Sequence, residues 1–261
     1  LSPFLFVPLM MLYDLSYTQI GSLVLINFVA QFVADAYFGW PVNKYGYRPF
    51  CIGSQLAIAV GLVLFACAPW IVPGDPFPIF AVATVIFSAA AGLLEVLLSP
   101  ITKTIPAENS EANFMLMHSA FAGGIFAAAL VTTMLLRLLG NELWQVVVAL
   151  WALLPLYNAV LFLRSPLPAI TPAETRMRAG HLLRSPVFVV AFFAIFFGAA
   201  TELLIVQWGS SYLERGLGLS KTLGDVVGLC FFAAMLALAR LLYAKKGGGL
   251  NGHNGLKDIA K

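Results

Sequence analysis

Long runs of apolar residues, separated by short polar connections, dominate the chain of 261 residues. A helix that crosses a membrane needs about 20 mostly apolar residues, and seven runs reach that length. The predicted helices cover residues 20–42, 50–71, 78–101, 114–139, 143–163, 186–208 and 223–244. A shorter run, Leu1–Tyr13, predicts the second half of another helix. Because the chain also starts without Met, we expect it to be a fragment.

One connection differs from the others in length and composition. The stretch Arg164–Ser185 is polar and rich in Pro and Arg, which is typical of a loop between two bundles of helices. The pattern therefore predicts four segments along the chain. They are an N-terminal six-helix bundle (1–165), an inter-bundle loop (166–185), the first two helices of a second bundle (186–246) and a polar tail (247–261).

A short internal repeat connects the two predicted bundles. Leu15–Thr18 (Leu-Ser-Tyr-Thr) precedes the second helix, and Leu219–Thr222 (Leu-Ser-Lys-Thr) precedes the eighth. These helices end in Lys44-Tyr45-Gly46 and Lys245-Lys246-Gly247. An even number of helices separates the two copies, so we expect parallel repeats related by an axis along the membrane normal.

Composition places the chain in a lipid bilayer. Hydrophobic residues make up 61% of it and charged residues only 10%, whereas soluble domains average about 25% charged residues. The net charge of +3 is too small for a nucleic-acid-binding surface. The three cysteines show no CxxC spacing, and no HExxH, GxSxG or P-loop occurs. We therefore expect no metal site, no cofactor and no enzyme.

Basic residues indicate how the helices are oriented. If the connections alternate sides, one side holds Lys44, Arg48, Lys103, Arg164, Arg176, Arg178, Arg184, Arg240, Lys245 and Lys246. The other side holds Arg137, Arg215 and Lys221. The positive-inside rule makes the first side cytoplasmic, so the central loop is expected in the cytoplasm of a multi-pass protein, in a bacterial plasma membrane.

Three carboxylates, Asp35, Glu95 and Glu202, lie inside predicted helices, where a charge costs about 2.5–3.5 kcal/mol on insertion scales. Glu95 is the candidate proton acceptor, which on protonation becomes a hydrogen-bond donor towards a solute. Glu202 is a second candidate, and a structural hydrogen bond is the alternative for both. Asp35 is expected to have a structural or gating role, pairing with a base on another helix.

Other polar positions extend this candidate site. Gln207 and the flat ring of Trp208 suit a sugar ring, although Trp208 also fits an interfacial belt. Asn27 lies on one helix stripe with Gln31, and His118 opens the fifth helix. Asp225 is expected to cap the eighth helix, and Arg137 and Arg240 to reach water from helix ends.

The loop after the second helix resembles that of the major facilitator superfamily. The family pattern there is G-x-L-A-D-R-x-G-R-K, and residues 39–48 read Gly-Trp-Pro-Val-Asn-Lys-Tyr-Gly-Tyr-Arg. Gly39, Lys44, Gly46 and Arg48 fit, whereas Pro41 and Asn43 depart from the pattern. The resemblance implies a gating motif made of Asp35 and these loop residues, without the charge pair that the family's Asp makes.

The fourth helix resembles the fucose permease branch of that superfamily, where a Gly-rich run precedes Leu-Glu, a small residue and Pro. Residues 92–100 read Gly-Leu-Leu-Glu-Val-Leu-Leu-Ser-Pro. The resemblance implies that Glu95 faces a central cavity and handles protons or sugar. Pro3 stands where that branch has an Asp in its first helix, which argues against fucose itself.

These observations predict an all-α membrane protein, a truncated major facilitator-type bundle. The expected function is proton-coupled transport of a small polar solute, a sugar or sugar derivative, by alternating access. Two alternatives remain: a drug or amphiphile exporter of the same superfamily, and a truncated membrane protein that does not transport.

Overall fold

The structure is a computed structural model that describes residues 5–104, 110–168 and 183–250. Within these ranges the chain is helical and forms no strand. The helices are α1 (Phe6–Tyr13), α2 (Tyr17–Tyr45), α3 (Tyr47–Ile71), α4 (Phe77–Thr104), α5 (Ser110–Leu139), α6 (Asn141–Arg164), α7 (Pro186–Arg215) and α8 (221–250). Seven helices, α2 to α8, are long and apolar enough to cross a membrane. This confirms the predicted fold class.

Two of these helices are interrupted. In α6, a 3-10 turn leads into Trp144–Trp151, and Ala152 separates that piece from Leu153–Arg164. In α8, a π-helical segment, Val226–Phe231, separates Lys221–Asp225 from Phe232–Leu250. An apolar run shows where a helix lies but not how its hydrogen bonds shift, so neither interruption was predicted. Most of the predicted inter-bundle loop, residues 169–182, lies outside the described residues.

The two serines of the internal repeat occupy the same structural position. Ser16 caps the start of α2 by accepting a hydrogen bond from the Gln19 amide at 3.2 Å. Ser220 caps α8 by accepting one from the Leu223 amide at 3.4 Å. A serine at this position satisfies an amide that the helix leaves unpaired. The repeated ends differ, because α2 ends at Tyr45, just before Gly46 with its φ of 88°, whereas α8 continues to Leu250.

An aromatic core joins four of the first six helices. Trp144 of α6 is fully buried between Phe65 of α3 and Phe80 of α4, with all three ring centroids within 5.9 Å of one another. Its indole Nε1 donates to the Tyr13 hydroxyl at 3.2 Å. Edge-to-face aromatic contacts are favourable, so this core fixes α1, α3, α4 and α6 together.

The helices pack into two groups, and the two groups are in contact. Helix α4 packs against both α2 and α3, and α3 packs against α6. Helix α8 packs against α7 and, along much of its length, against α5. The contact between α5 and α8 therefore connects the predicted first bundle with the helices that follow the central loop.

Helix α7 presents an apolar surface to its surroundings. None of the residues in its most apolar 18-residue window is buried, and Val187, Phe193 and Ile195 are all exposed. In water such a surface would cost free energy, but lipid chains solvate it. Helix α7 thus fits the lipid environment that the composition predicted.

Candidate functional site

A row of polar contacts runs down the interface between α2 and α4. Ser88 of α4 donates to the side-chain oxygen of Asn27 at 2.7 Å, and both residues are buried. One turn further, Gly92 lies directly against Gln31, where a β-carbon on Gly92 would come within 2.9 Å of the Gln31 Cα. The two helices continue side by side in the same direction. The next residues along the row are therefore Asp35 of α2 and Glu95 of α4.

Asp35 and Glu95 bring two carboxylates together at the end of this row. Both side chains are exposed, and the charge of Asp35 acts on Glu95. Neither makes an ion pair within the described residues, so the base predicted as a partner for Asp35 is not found there. Carboxylates at membrane depth face a water-filled cavity or protein rather than lipid.

Glu202 of α7 lies within electrostatic range of Glu95. Its charge acts on Glu95, and its own carboxylate forms an ion pair with Arg240 of α8 at 3.0 Å. Arg240 also donates to the main-chain oxygen of His118 on α5 at 3.4 Å. Arg240 was expected to reach water from a helix end, and the structure adds a partner that the sequence did not predict, the Glu202 carboxylate.

His118 contributes to this cluster through its backbone as well as its ring. The imidazole packs edge-on against Phe114, with centroids 4.5 Å apart. It lies within electrostatic range of both Arg240 and Glu202. His118 thus lies beside the ion pair of Arg240 and Glu202, and its carbonyl oxygen helps to hold Arg240.

Gln207 and Trp208 lie further along α7, away from the ion pair. Trp208 packs against Phe6 of α1 with ring centroids 5.3 Å apart. It lines a cavity of about 350 Å³ together with Tyr17, Ser211 and other residues of α1, α2 and α7. Gln207 is buried, and its side-chain oxygen lacks a hydrogen-bond partner among the described residues.

Asn27 takes a different place from the one expected. The sequence placed it among the residues that extend the candidate site, but it is buried in the contact between α2 and α4. Its hydrogen bond to Ser88 satisfies a polar group that would otherwise be costly to bury. Asn27 therefore stabilises the contact between α2 and α4, the two helices that carry Asp35 and Glu95.

A second polar cluster, around Asp225, lies between α5, α7 and α8. The Asp225 carboxylate is fully buried and accepts hydrogen bonds from Thr133 at 3.0 Å, from Lys221 at 3.2 Å and from Ser210. Ser220, rather than Asp225, caps α8. The predicted capping role was wrong because the side chain points into the helix interface, which the position near a helix start does not reveal.

One residue of the predicted gating motif, Arg48, makes hydrogen bonds to the end of another helix. Arg48, at the start of α3, donates to the main-chain oxygens of Phe162 at 3.1 Å, Leu163 and Ser165. A cation at the end of a helix stabilises carbonyl groups that the helix leaves unpaired. Arg48 therefore fastens α3 to the end of α6.

Other motif residues lie around the junction of α2 and α3. Gly46 joins the two helices in a left-handed conformation, and Lys44 lies over the Tyr45 ring at 5.2 Å. Gly39 and Asn43 belong to α2 by their backbone, and the Asn43 side chain lies outside the described part of the chain.

Metal ligands are not clustered in the part of the chain that the structure describes. There, no group of three His, Cys, Asp or Glu residues is placed to hold a metal ion. Cys51, Cys67 and Cys230 are free thiols.

The cluster of Asp35, Glu95, Glu202 and Arg240 combines residues from four helices. The sequence singled out the three carboxylates, but it did not predict that Arg240 pairs with Glu202. One signal was available: four residues, mostly apolar, follow Arg240 before Lys245, which places it more than a turn inside the helix. Such a depth favours a paired charge over one that reaches water.

Comparison with known proteins gives one match. The family model for the Major Facilitator Superfamily matches residues 1–250. No curated protein and no solved structure matches the chain significantly.

Proposed function

The chain belongs to the major facilitator superfamily of membrane transporters, and we propose that it moves a sugar or sugar derivative by proton-coupled alternating access. The observation that carries this proposal is the charged cluster. It combines Asp35 and Glu95 of the first bundle with Glu202 and Arg240 of α7 and α8. In transporters built from repeated bundles, solute and coupling ion bind where the bundles meet.

Chemistry at this site suits a solute rich in hydroxyl groups. Ionised carboxylates accept hydrogen bonds from hydroxyls, and a protonated carboxyl group also donates one. Glu95 is exposed and has no ion-pair partner within the described residues, so it is free to exchange a proton. We assign it the proton, and Glu202 and His118 the neighbouring solute contacts.

The aromatic surface near Trp208 supports a route to this site. Trp208 and Tyr17 line the cavity between α1, α2 and α7, and Gln207 lies one residue away on α7. The apolar face of a sugar ring stacks on an aromatic ring, while its hydroxyls remain available for polar groups. We propose that Trp208 and Gln207 contact the solute as it approaches the carboxylates.

The proposed motion uses the segments that the sequence defined. Residues 1–165 and 186–246 would move as units connected by residues 166–185, with the central loop in the cytoplasm of a bacterial cell. Arg48 strengthens the first unit, because it fastens α3 to the end of α6. The likeness of residues 92–100 to the fucose permease branch supports a sugar-type solute.

Transport by the purified protein in proteoliposomes tests this proposal. Labelled sugars are offered with an inward proton gradient, with a protonophore and empty liposomes as controls. We expect one sugar class to accumulate and the protonophore to abolish accumulation. If no sugar accumulates while lipophilic amines move against their gradient, the sugar assignment is wrong.

Export of an amphiphile is the second candidate function, and the surface of α7 favours it. Phe188, Phe192 and Ile195 belong to an exposed apolar face of that helix. An apolar surface of this kind also suits the apolar part of an amphiphile. Tryptophan fluorescence separates the two candidates: quenching by sugars that is lost in Trp208→Phe supports sugar transport, and quenching by amphiphiles alone supports export.

A further inference from the structure

The cavity between α1, α2 and α7 is separate from the charged cluster. It has a volume of about 350 Å³, which is within the range of small-molecule sites. The described residues that line it include none of the three carboxylates of the cluster. What this cavity binds therefore depends on its own side chains.

Four of those side chains lie along one face of α7. They belong to Trp208, Ser211, Tyr212 and Arg215, which stand at positions i, i+3, i+4 and i+7. Residues with this spacing lie on the same side of an α-helix. The helix thus presents two aromatic rings, a hydroxyl group and a guanidinium group together to the cavity.

The two ends of this face differ in chemistry. At one end the Trp208 ring is held against Phe6, with centroids 5.3 Å apart. At the other end stands Arg215, the last residue of α7. Tyr17 and Tyr212 are both exposed, so their rings border the opening of the cavity. One end of the cavity is therefore aromatic and the other is positively charged.

Two polar groups of the cavity are available to a ligand. The Ser211 hydroxyl oxygen is buried and lacks a hydrogen-bond partner among the described residues, and Arg215 forms no ion pair there. Glu214 lies within electrostatic range of Arg215, but it belongs to the face of α7 that packs against α8. A β-carbon added to Gly224 of α8 would lie 3.6 Å from the Glu214 Cβ.

We propose that this cavity binds a sugar derivative with one carboxylate group. The carboxylate binds Arg215, a ring hydroxyl binds Ser211, and the ring packs against Trp208. A guanidinium group binds a carboxylate through two parallel hydrogen bonds, and the apolar face of a sugar ring stacks on an aromatic ring. The inference rests on the proposed sugar transport and deepens it, because it names the charged group of the solute.

A solute with one negative charge suits the cavity better than one with two. A carboxylate carries one charge, whereas a phosphate ester carries about 1.5 to 2 at neutral pH. Arg215 balances the first charge. The next basic residue along the chain, Lys221, is already paired with Asp225 at 3.2 Å. The second charge of a phosphate would therefore lack a counter-ion and would face Glu214 nearby.

Calorimetric titration of the purified protein in detergent tests the inference. The probes are D-glucuronate, D-glucose and D-glucose 6-phosphate, which share a ring and differ at one group. We expect D-glucuronate to bind about tenfold more tightly than the other two, because only its carboxylate is matched by Arg215.

Variants of the α7 face show which side chain recognises which group. Arg215→Gln should abolish the preference for D-glucuronate and leave D-glucose binding unchanged, which also shows that the fold is intact. Ser211→Ala should weaken all three probes by about fivefold, the loss of one neutral hydrogen bond. Arg137→Gln is the matched control, because Arg137 is also exposed near a helix end but does not line the cavity.

D-glucuronate that binds no better than D-glucose, or a preference that survives in Arg215→Gln, would overturn the inference. Tighter binding of the phosphate than of D-glucuronate would do the same. Binding is measured without transport, so the two proposals fail separately. If D-glucuronate binds through Arg215 but never accumulates in proteoliposomes, the site stands and the transport proposal fails. If a neutral sugar accumulates while D-glucuronate does not bind, transport stands and the carboxylate site is wrong.

Discussion

Asp225 shows how much a single buried polar side chain contributes to the stability of this molecule. Thr133, Ser210 and Lys221 donate to its carboxylate from α5, α7 and α8, and the side chain has no exposed surface. Removing the carboxylate leaves buried donors unpaired, which costs more than the hydrogen bonds themselves contributed. Asp225 therefore stabilises the junction of the three helices.

Asp225→Ala is expected to reduce the free energy of unfolding by about 2–4 kcal/mol, because it leaves a buried partner uncompensated. Thermal unfolding in detergent measures the change. Glu142→Ala is the matched control, since Glu142 is exposed in the first turn of α6 and its loss should change the free energy of unfolding by less than about 0.5 kcal/mol. Equal effects of the two changes would show that the buried cluster contributes no stability.

At the scale of the helix, Gly92 determines how closely α2 and α4 approach. A β-carbon there would lie 2.9 Å from the Gln31 Cα, and a main-chain atom cannot move aside as a flexible side chain does. The close approach also sets the separation of Asp35 and Glu95, which follow on the same two helices. Packing at Gly92 is thus linked to the geometry of the charged cluster.

Gly92→Ala should destabilise the protein by about 1–3 kcal/mol, since it overpacks the interface. Gly53→Ala in α3 is the control, because nothing lies within 4 Å of the added β-carbon. That change should instead stabilise the helix by about 0.5–1 kcal/mol. Unfolding midpoints compare the two, and a stabilising effect at Gly92 would contradict the close contact.

Sequence patterns predicted where the helices lie, but not which helices pack against one another. The apolar runs located α2 to α8 because membrane depth sets a minimum length, and Ser16 and Ser220 marked two helix starts. Pairing of α5 with α8 could not be predicted, since every helix is apolar on several faces. For the same reason Glu202 was found as an isolated charge, while its bond to Arg240 depends on the packing of α7 and α8.

At the scale of the whole molecule, the contact between α5 and α8 connects the helices before and after the central loop. Polar contacts lie near both ends of this interface: Thr133 with Asp225, and the His118 carbonyl with Arg240. Any relative motion of the two groups of helices must change at least one of these contacts. The interface therefore links the charged cluster to the conformation of the molecule.

Orientation in the membrane is open to a direct labelling experiment. Gly74→Cys, in the turn between α3 and α4, should react in intact cells with a thiol reagent that cannot cross the membrane. Ser165→Cys, at the end of α6, should react only after the cells are permeabilised, because the basic side is expected to be cytoplasmic. The unaltered protein, whose three cysteines are free, measures the background. The reverse labelling pattern would invert the proposed topology.

Coupling at Glu95 is the central claim, and uphill uptake by Glu95→Gln tests it most directly. The amide preserves the size of the side chain but cannot exchange a proton. In proteoliposomes with an inward proton gradient, we expect accumulation of the solute to be abolished while exchange of labelled for unlabelled solute continues. Glu142→Gln should behave as the unaltered protein. Accumulation that persists in Glu95→Gln would contradict the account.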